Sequence, residues 1–387
     1  MTMDFSLTGE QAAVRAKVLD FARTEIGGRA AEHDRAATFD VAGWRACARF
    51  GVLGWPVPVA HGGSGYDPLT SVIACEALGY GCADNGLVFA VENHLWACVI
   101  YVIRHGSPEQ QARFLPLLAD GTLVGAHAMT EPGTGSDVLS LSTTARRDGG
   151  HYVLDGTKSF ISNGPNAGLY VVFARTGARA QQSLSAFLVT RDTPGLEVTR
   201  VIGKAGLRGT LMGELRFSGC RVPAADRLGA EGAGYHVFTS TMEWERGFMA
   251  ASQVGRMQRL LDTCVAYAAD REQFGGPIGG FQAVSHRLAD VRVRVELARL
   301  LLYKVGWLKA QGRLALLESS ILKLFTSESL LESALDAVRV HGARGYVTHL
   351  PIERELRDSL AGPIYGGTSD IQRNVIASLI GIPGAPS

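Results

Sequence analysis

Thr130-Glu131-Pro132-Gly133-Thr134-Gly135-Ser136-Asp137 is the stretch on which the reading of this chain turns. Gly133 and Gly135 let the backbone turn tightly and approach a ligand closely. Thr130, Thr134 and Ser136 place hydroxyls around them, and backbone N–H groups freed by such a turn suit a phosphate or the edge of a heterocycle. A turn of this composition needs no ligand when it stands alone. Here it is followed by Arg271-Glu272-Gln273-Phe274-Gly275 and then by Tyr365-Gly366-Gly367-Thr368-Ser369-Asp370. The order and spacing of the three carry far more information than any one.

The 387 residues are enough for two or three packed subdomains. Apolar residues make up 46% and charged ones 19%, with a net charge of +1. That balance describes a globular chain and gives no electrostatic case for nucleic acid or an anionic membrane surface. Cys47, Cys75, Cys82, Cys98, Cys220 and Cys264 include no Cys-x-x-Cys pair, and the histidines form no His-x-x-x-His pair. Buried reduced thiols are expected, with no metal site. The start, Met1-Thr2-Met3-Asp4-Phe5-Ser6, has no basic segment followed by an apolar run, and no stretch of about twenty apolar residues is read. The expected location is the cytoplasm.

Three regions follow in order. Up to residue 120 the periodicity is helical. A capping box at Thr8-Gly9-Glu10-Gln11 opens the first helix, and further helices are expected over Val41–Phe50, Leu69–Leu78, Leu87–His105 and Pro108–Leu118. The apolar run Gly86–Ala90 reads as core, with lining of a pocket as the alternative. From 121 to 230, short β-branched and aromatic runs appear: Val124–Met129, Tyr152–Leu154, Leu169–Phe173, Ser185–Val189, Leu196–Val201 and Glu214–Phe217. They predict an antiparallel β domain. From 231 to 387 long helical segments return at Tyr235–Ala269, Phe281–Gln311, Ala315–Val340 and Ser369–Ile380, enough for a four-helix bundle.

The three motifs resemble those of the acyl-CoA dehydrogenase family, and the resemblance runs from Asp4 to Ile380. It implies an α+β fold of the three regions just given, FAD as cofactor, and oxidation of an acyl thioester. In that chemistry a carboxylate removes the α-proton, the flavin takes the β-hydrogen as hydride, and hydrogen-bond donors hold the thioester oxygen. Many family members carry the base as the glutamate of a Tyr-Glu-Gly-Thr motif. Here the motif reads Tyr365-Gly366-Gly367-Thr368, and Gly366 has no side chain to serve. A minority carries the base on the first long C-terminal helix, just before an arginine. The matching residue is Glu245 in Met242-Glu243-Trp244-Glu245-Arg246. Its helical neighbours Thr241, Met242, Phe248 and Met249 form a mostly apolar face, where a carboxylate is costly unless paired or used. The competing reading of Glu245 is a buried salt bridge to a distant arginine. Glu243 has Arg246 three residues on, which reads as a solvated ion pair; by resemblance both are also placed with Ser136 at the substrate. Gly366 keeps its backbone N–H as a donor to the thioester oxygen.

The resemblance assigns flavin contacts to Met129, Thr130, Gly135 and Ser136. Phe160 and Ser162 match the family's Trp-x-Thr segment, with phenylalanine keeping the aromatic wall but losing the indole N–H. Arg271, Gln273 and Phe274 match a segment that reaches FAD across a subunit interface. Arg339, Gly342 and Ala343 match one near the adenosine half, and Thr368 and Asp370 complete the set. The implied partners are other copies of the chain, as dimer or tetramer, and an electron-transfer flavoprotein or similar acceptor. Within the family the chain looks most like dehydrogenases of prolyl or aminoacyl groups held on carrier proteins in natural-product biosynthesis, with an acyl-CoA substrate as the rival. A flavin monooxygenase on the same fold and an inactive acyl-binding subunit are the alternatives from other classes.

Overall fold

The computed structural model describes residues 6–177 and 183–383. Helix α1 (Gly9–Thr24) opens with the expected reciprocal box between Thr8 and Gln11. Helices α2 (Ala30–Ala36), α3 (Val41–Phe50) and α4 (Pro68–Gly81) follow. From Asn85 to His105 the chain is helical throughout, as α5 (Asn85–His94), a π turn over Leu95–Val99 and α6 (Ile100–His105). This stretch corrects the expectation of no apolar run of membrane length, since its hydropathy reaches 1.6. Within it, 94% of the most apolar 18-residue window is buried inside the protein, so that apolar surface is met by packing. Helix α7 (Pro108–Ala119) closes the first helical part.

The sheet is built from β1 (Gly125–Ala128), β2 (Thr144–Asp148), β3 (His151–Ser162), β4 (Leu169–Arg175), β5 (Leu184–Thr190), β6 (Leu196–Val201), β7 (Met212–Pro223) and β8 (Arg227–Leu228). Its order is β6-β7-β3-β2-β4-β5-β8, with β1 also on β4. Most pairings are antiparallel, as expected. The exceptions are β1, which runs parallel to β4 from Gly125 opposite Leu169, and a parallel contact of Thr144 with Arg175. Strand β4 is buried along its whole length. Leu169, Val171 and Phe173 face helices through Tyr101 and Phe114, while Tyr170, Val172 and Ala174 face Tyr152 and Phe187. The alternation follows the period of two of a strand.

The C-terminal part holds α8 (Gly234–Phe248), α9 (Ala250–Asp270), a small hairpin of β9 (Glu272–Gln273) and β10 (Gly276–Pro277), α10 (Gln282–Ala310), α11 (Leu316–His341), α12 (Ala343–Tyr346), α13 (Ile352–Ser359) and α14 (Ser369–Leu379). The sequence pattern reads one helix over Tyr235–Ala269; the structure breaks it at Met249. Helices α4 and α9 meet backbone to backbone. A Cβ at Gly255 would lie 2.1 Å from the Glu76 carbonyl oxygen, and one at Gly79 2.3 Å from that of Ser252. Only glycine permits this approach, and it sets the depth at which α9 presents Ser252 to α5. All six cysteines are buried and unpaired.

Candidate active site

The loop after β1 is held from below. The Glu131 carboxylate accepts from Ser142 N at 2.6 Å, Thr143 N at 2.9 Å and the Lys158 ammonium at 2.9 Å. Burial opposes its ionisation, but Lys158 and these hydrogen bonds win and bring it down to about 2. Lys158 also donates to Met129 O at 2.8 Å, and Ser159 N to Thr130 O at 2.9 Å. Met129 and Thr130 are thereby tied to the strand that carries Phe160 and Ser162. Phe160 sits where the β3–β7 register slips, at φ +59°, and the residue is 54% exposed. A large aromatic residue held in the left-handed region and uncovered is strained and signals a functional demand. In the same loop as Thr130, Gly135 and Ser136 are exposed, and among the described residues no acceptor takes either N–H.

The second cluster joins α8, α11 and the Tyr365–Thr368 turn. Glu245 is buried, and Thr241, Met242, Phe248 and Met249 around it are all buried. It forms no ion pair among the described residues, and its Oε2 has no hydrogen-bond partner. The salt-bridge reading therefore fails. Burial pushes its carboxyl up to about 7, against the pull of the nearby Arg246 and Lys323 charges. A Cβ built on Gly366 would stand 3.6 Å from Glu245 Oε1. The carboxylate from α8 thus comes within van der Waals reach of where a side chain at 366 would begin. Gly366 is at φ +63° and Gly367 at φ +89°. Arg246 Nε donates to Gly366 O at 3.1 Å, and Lys323 Nζ to Gly367 O at 2.7 Å. Gln372 Nε2 donates to both carbonyls, at 3.1 and 3.0 Å. The carbonyls are spent, whereas no acceptor among the described residues takes the Gly366 N–H.

Helix α5 links the two clusters. Asn93 Nδ2 donates to Ser162 O at 3.4 Å, and the Phe89 ring packs 4.9 Å from that of Tyr365.

The expectations for Glu243 and Arg246 need correction. Glu243 is not solvated, not paired with Arg246 and not open to a substrate. It is 4% exposed, bonds the Lys309 ammonium, and accepts from Ala315 N at 2.9 Å at the start of α11. A partner on another helix outcompetes the one three residues away. Arg246 is buried against the Gly366 carbonyl instead. Thr368 spends its hydroxyl capping α14 through Ile371 N, and Asp370 is exposed and paired with Arg373. Arg271 follows the end of α9, and the hairpin beyond it carries Gln273 and Phe274, the latter 96% exposed. Arg339 bonds Asp336, one turn back on α11, and Gly342 and Ala343 follow the end of that helix. A stack of Tyr267 on His341 at 4.2 Å brings these two segments to one corner. No bond within the chain joins that corner to the Thr130 loop or to Glu245 among the described residues. Lys323, the Glu131–Lys158 brace, Glu92, Ser252 and Gln253 went unread, because each acts through a partner far away in sequence.

Residues 8–122, 126–220 and 232–380 match, in turn, the N-terminal, middle and C-terminal domains of acyl-CoA dehydrogenase. The chain belongs to the acyl-CoA dehydrogenase family. An L-prolyl-[peptidyl-carrier protein] dehydrogenase of Pseudomonas fluorescens is 40% identical over 97% of this chain and 99% of its own length. Two solved acyl-CoA dehydrogenase folds are similar throughout. The prolyl acyl carrier protein oxidase AnaB is 44% identical with a TM-score of 0.96, covering 97% of this chain and 100% of its own. PigA, solved with FAD and proline, is 37% identical with a TM-score of 0.96, covering 99% and 100%. The residues present here fit the family's flavin: the uncovered Phe160 ring offers a face to a flat aromatic group, and the free N–H groups of Gly135 and Ser136 suit its polar edge or a phosphate.

Proposed function

We propose that the chain is an FAD-dependent dehydrogenase that oxidises the α,β bond of an aminoacyl thioester held on the phosphopantetheine arm of a carrier protein. One observation carries the chemistry: a buried carboxylate with an idle oxygen, Glu245, stands against an empty side-chain position, Gly366, whose N–H is also idle. The Gly366 N–H binds the thioester oxygen and favours the charge that builds there as the α-proton leaves. Glu245 takes that proton. Its burial leaves it basic enough to accept at neutral pH, and the packed Met242 and Phe248 side chains keep water off it. Bound FAD supplies the hydride acceptor for the β-hydrogen. Met129, Thr130, Gly135, Ser136, Phe160 and Ser162 would hold it, with Thr368 and Asp370 completing the set. Arg271, Gln273, Phe274, Arg339, Gly342 and Ala343, at their separate corner, serve a neighbouring copy in a dimer or tetramer; the bare Phe274 ring supports this reading.

The carrier-bound aminoacyl substrate is favoured by the likeness to prolyl-carrier relatives, and a CoA thioester is the rival. Electrons pass to a separate acceptor flavoprotein. Oxygen is the second reading, since AnaB is described as an oxidase. The test is anaerobic mixing of the yellow protein with aminoacyl-carrier and acyl-CoA thioesters. Bleaching by an aminoacyl-carrier thioester is expected; bleaching by acyl-CoA alone contradicts the substrate class. Fast peroxide formation in air would replace the acceptor protein with oxygen.

A further inference from the structure

Against the Tyr365 ring lies a small, mostly enclosed cavity lined by Val88, Phe89, Ser252, Gln253, Arg256 and Tyr365, among others. Tyr365 is the shared wall. It precedes Gly366, and its phenol feels the carboxyls of both Glu245 and Glu92. An alkyl chain would be served by a wholly apolar lining, yet here polar groups stand among Val88, Leu207 and Leu330. Gln253 is 4% exposed, and its Nε2 donates to the Tyr365 hydroxyl, which leaves Oε1 with no partner. Ser252 donates its N–H to Glu92 Oε1 at 3.3 Å and its hydroxyl to Oε2 at 2.6 Å. Glu92 is fully buried and has no ion-pair partner among the described residues. Arg256, the cationic group on the cavity wall, is held by Glu355 at 3.2 Å. Burial pushes the Glu92 carboxyl up to about 8, so it stands neutral behind Ser252 at neutral pH. The buried Gln253 Oε1 without a donor is the costly group. A substrate that brings an N–H donor relieves it; a hydrocarbon does not.

We propose that Gln253 Oε1, backed by Ser252 and Glu92, forms a nitrogen subsite that accepts a hydrogen bond from the amine of a compact aminoacyl group and so selects it over the all-carbon acyl group of the same shape. This rests on the thioester-dehydrogenase reading above and adds the residue that reads the amine. A site built to bond an N–H rejects the analogue that lacks it, because its own polar groups are then left unpaired.

The experiment compares L-prolyl and cyclopentanecarbonyl thioesters on one carrier protein, using the FAD-loaded enzyme in anaerobic single turnovers. Wild type reduces its flavin with the prolyl substrate at least about 100-fold more efficiently. Gln253→Met keeps the side-chain length without the amide. It lowers prolyl efficiency by about 10- to 100-fold and leaves the carbocyclic substrate unchanged or improved, so the preference collapses. Gln253→Glu, which keeps an acceptor, retains the prolyl preference, and it decides the matter if the Met variant does not fold. Dissociation constants of the two thioesters, measured in a slow Glu245→Gln host before its flavin is reduced, shift in the same pattern. Equal losses on both substrates, or no loss on either, overturn the subsite. Wild-type bleaching by acyl-CoA thioesters alone overturns the proposed substrate class itself, a result distinct from failure of the Gln253 variants on a good prolyl substrate.

Discussion

The two sides of α8 carry carboxylates two residues apart in opposite situations. Glu243 faces α10 and α11 and is saturated: Lys309 meets its charge and Ala315 N its other oxygen. Glu245 faces the Tyr365–Thr368 turn, and its Oε2 is left open. Both are buried, so burial alone does not mark a functional acid. What separates them is whether the protein has already supplied the partners. A completed pair holds helices together, while an uncompleted carboxyl stays available and keeps a raised proton affinity.

The largest effect expected from breaking this contrast is on rate. Glu245→Gln should slow flavin reduction by the true substrate about 10²–10⁴-fold, the usual worth of a positioned base, with the fold and visible spectrum kept. Glu243→Gln should do the reverse. It leaves Lys309 buried without its counter-charge, so stability falls by about 3 kcal/mol in denaturant titrations, while the folded fraction reduces flavin within a few-fold of wild type. Two variants with the same phenotype would dissolve the distinction.

A smaller effect concerns stability and pH. Folding raises the Glu245 carboxyl from its ordinary 4.5 to about 7. Between those values the folded state binds more protons than the unfolded one, so this group's contribution falls as pH rises from about 4.5 to 7 and is flat above. Glu245→Gln removes that loss. The variant should be more stable than wild type at pH 8 by on the order of 3 kcal/mol, seen as a higher unfolding temperature, and the gap should close towards pH 4.5. A gap that does not change with pH would place the shift elsewhere.

The smallest effect belongs to the turn. Gly366→Ala adds a Cβ at ordinary contact distance from Glu245 Oε1, but at φ +63°. Left-handed strain of about 1 kcal/mol is expected in melting, with flavin reduction within about tenfold of wild type. Complete loss of activity would mean the slot at 366 is tighter than the geometry indicates.

How much of this was legible in the sequence depended on the range over which each feature is decided. The Thr8 capping box, the strand runs and the placement of Glu245 on an apolar face are local, and spacing alone reads them. The missing side chain at Gly366 is plain in the sequence, and with it the need for a carboxylate from another element. Glu243 was misread because Arg246 lies one turn away in sequence, while Lys309 lies on another helix and wins. The break at Met249 has no proline to announce it, and the parallel entry of β1 beside β4 is set by tertiary pairing. The polar cavity was invisible for the same reason. Gln253 and Tyr365 line it from two segments, and Glu92 holds Ser252 from a third.

The central claim, that Glu245 is the base, is met most directly by the pH dependence of single-turnover flavin reduction from pH 5 to 9, in wild type and in Glu245→Gln. A base must be deprotonated to act, so the wild-type rate should rise about tenfold per pH unit at low pH, bend near 7 and level off above, following the raised carboxyl. The Gln variant should be slow and lack that bend. A wild-type profile flat across this range, or the same bend persisting in the variant, would contradict the assignment.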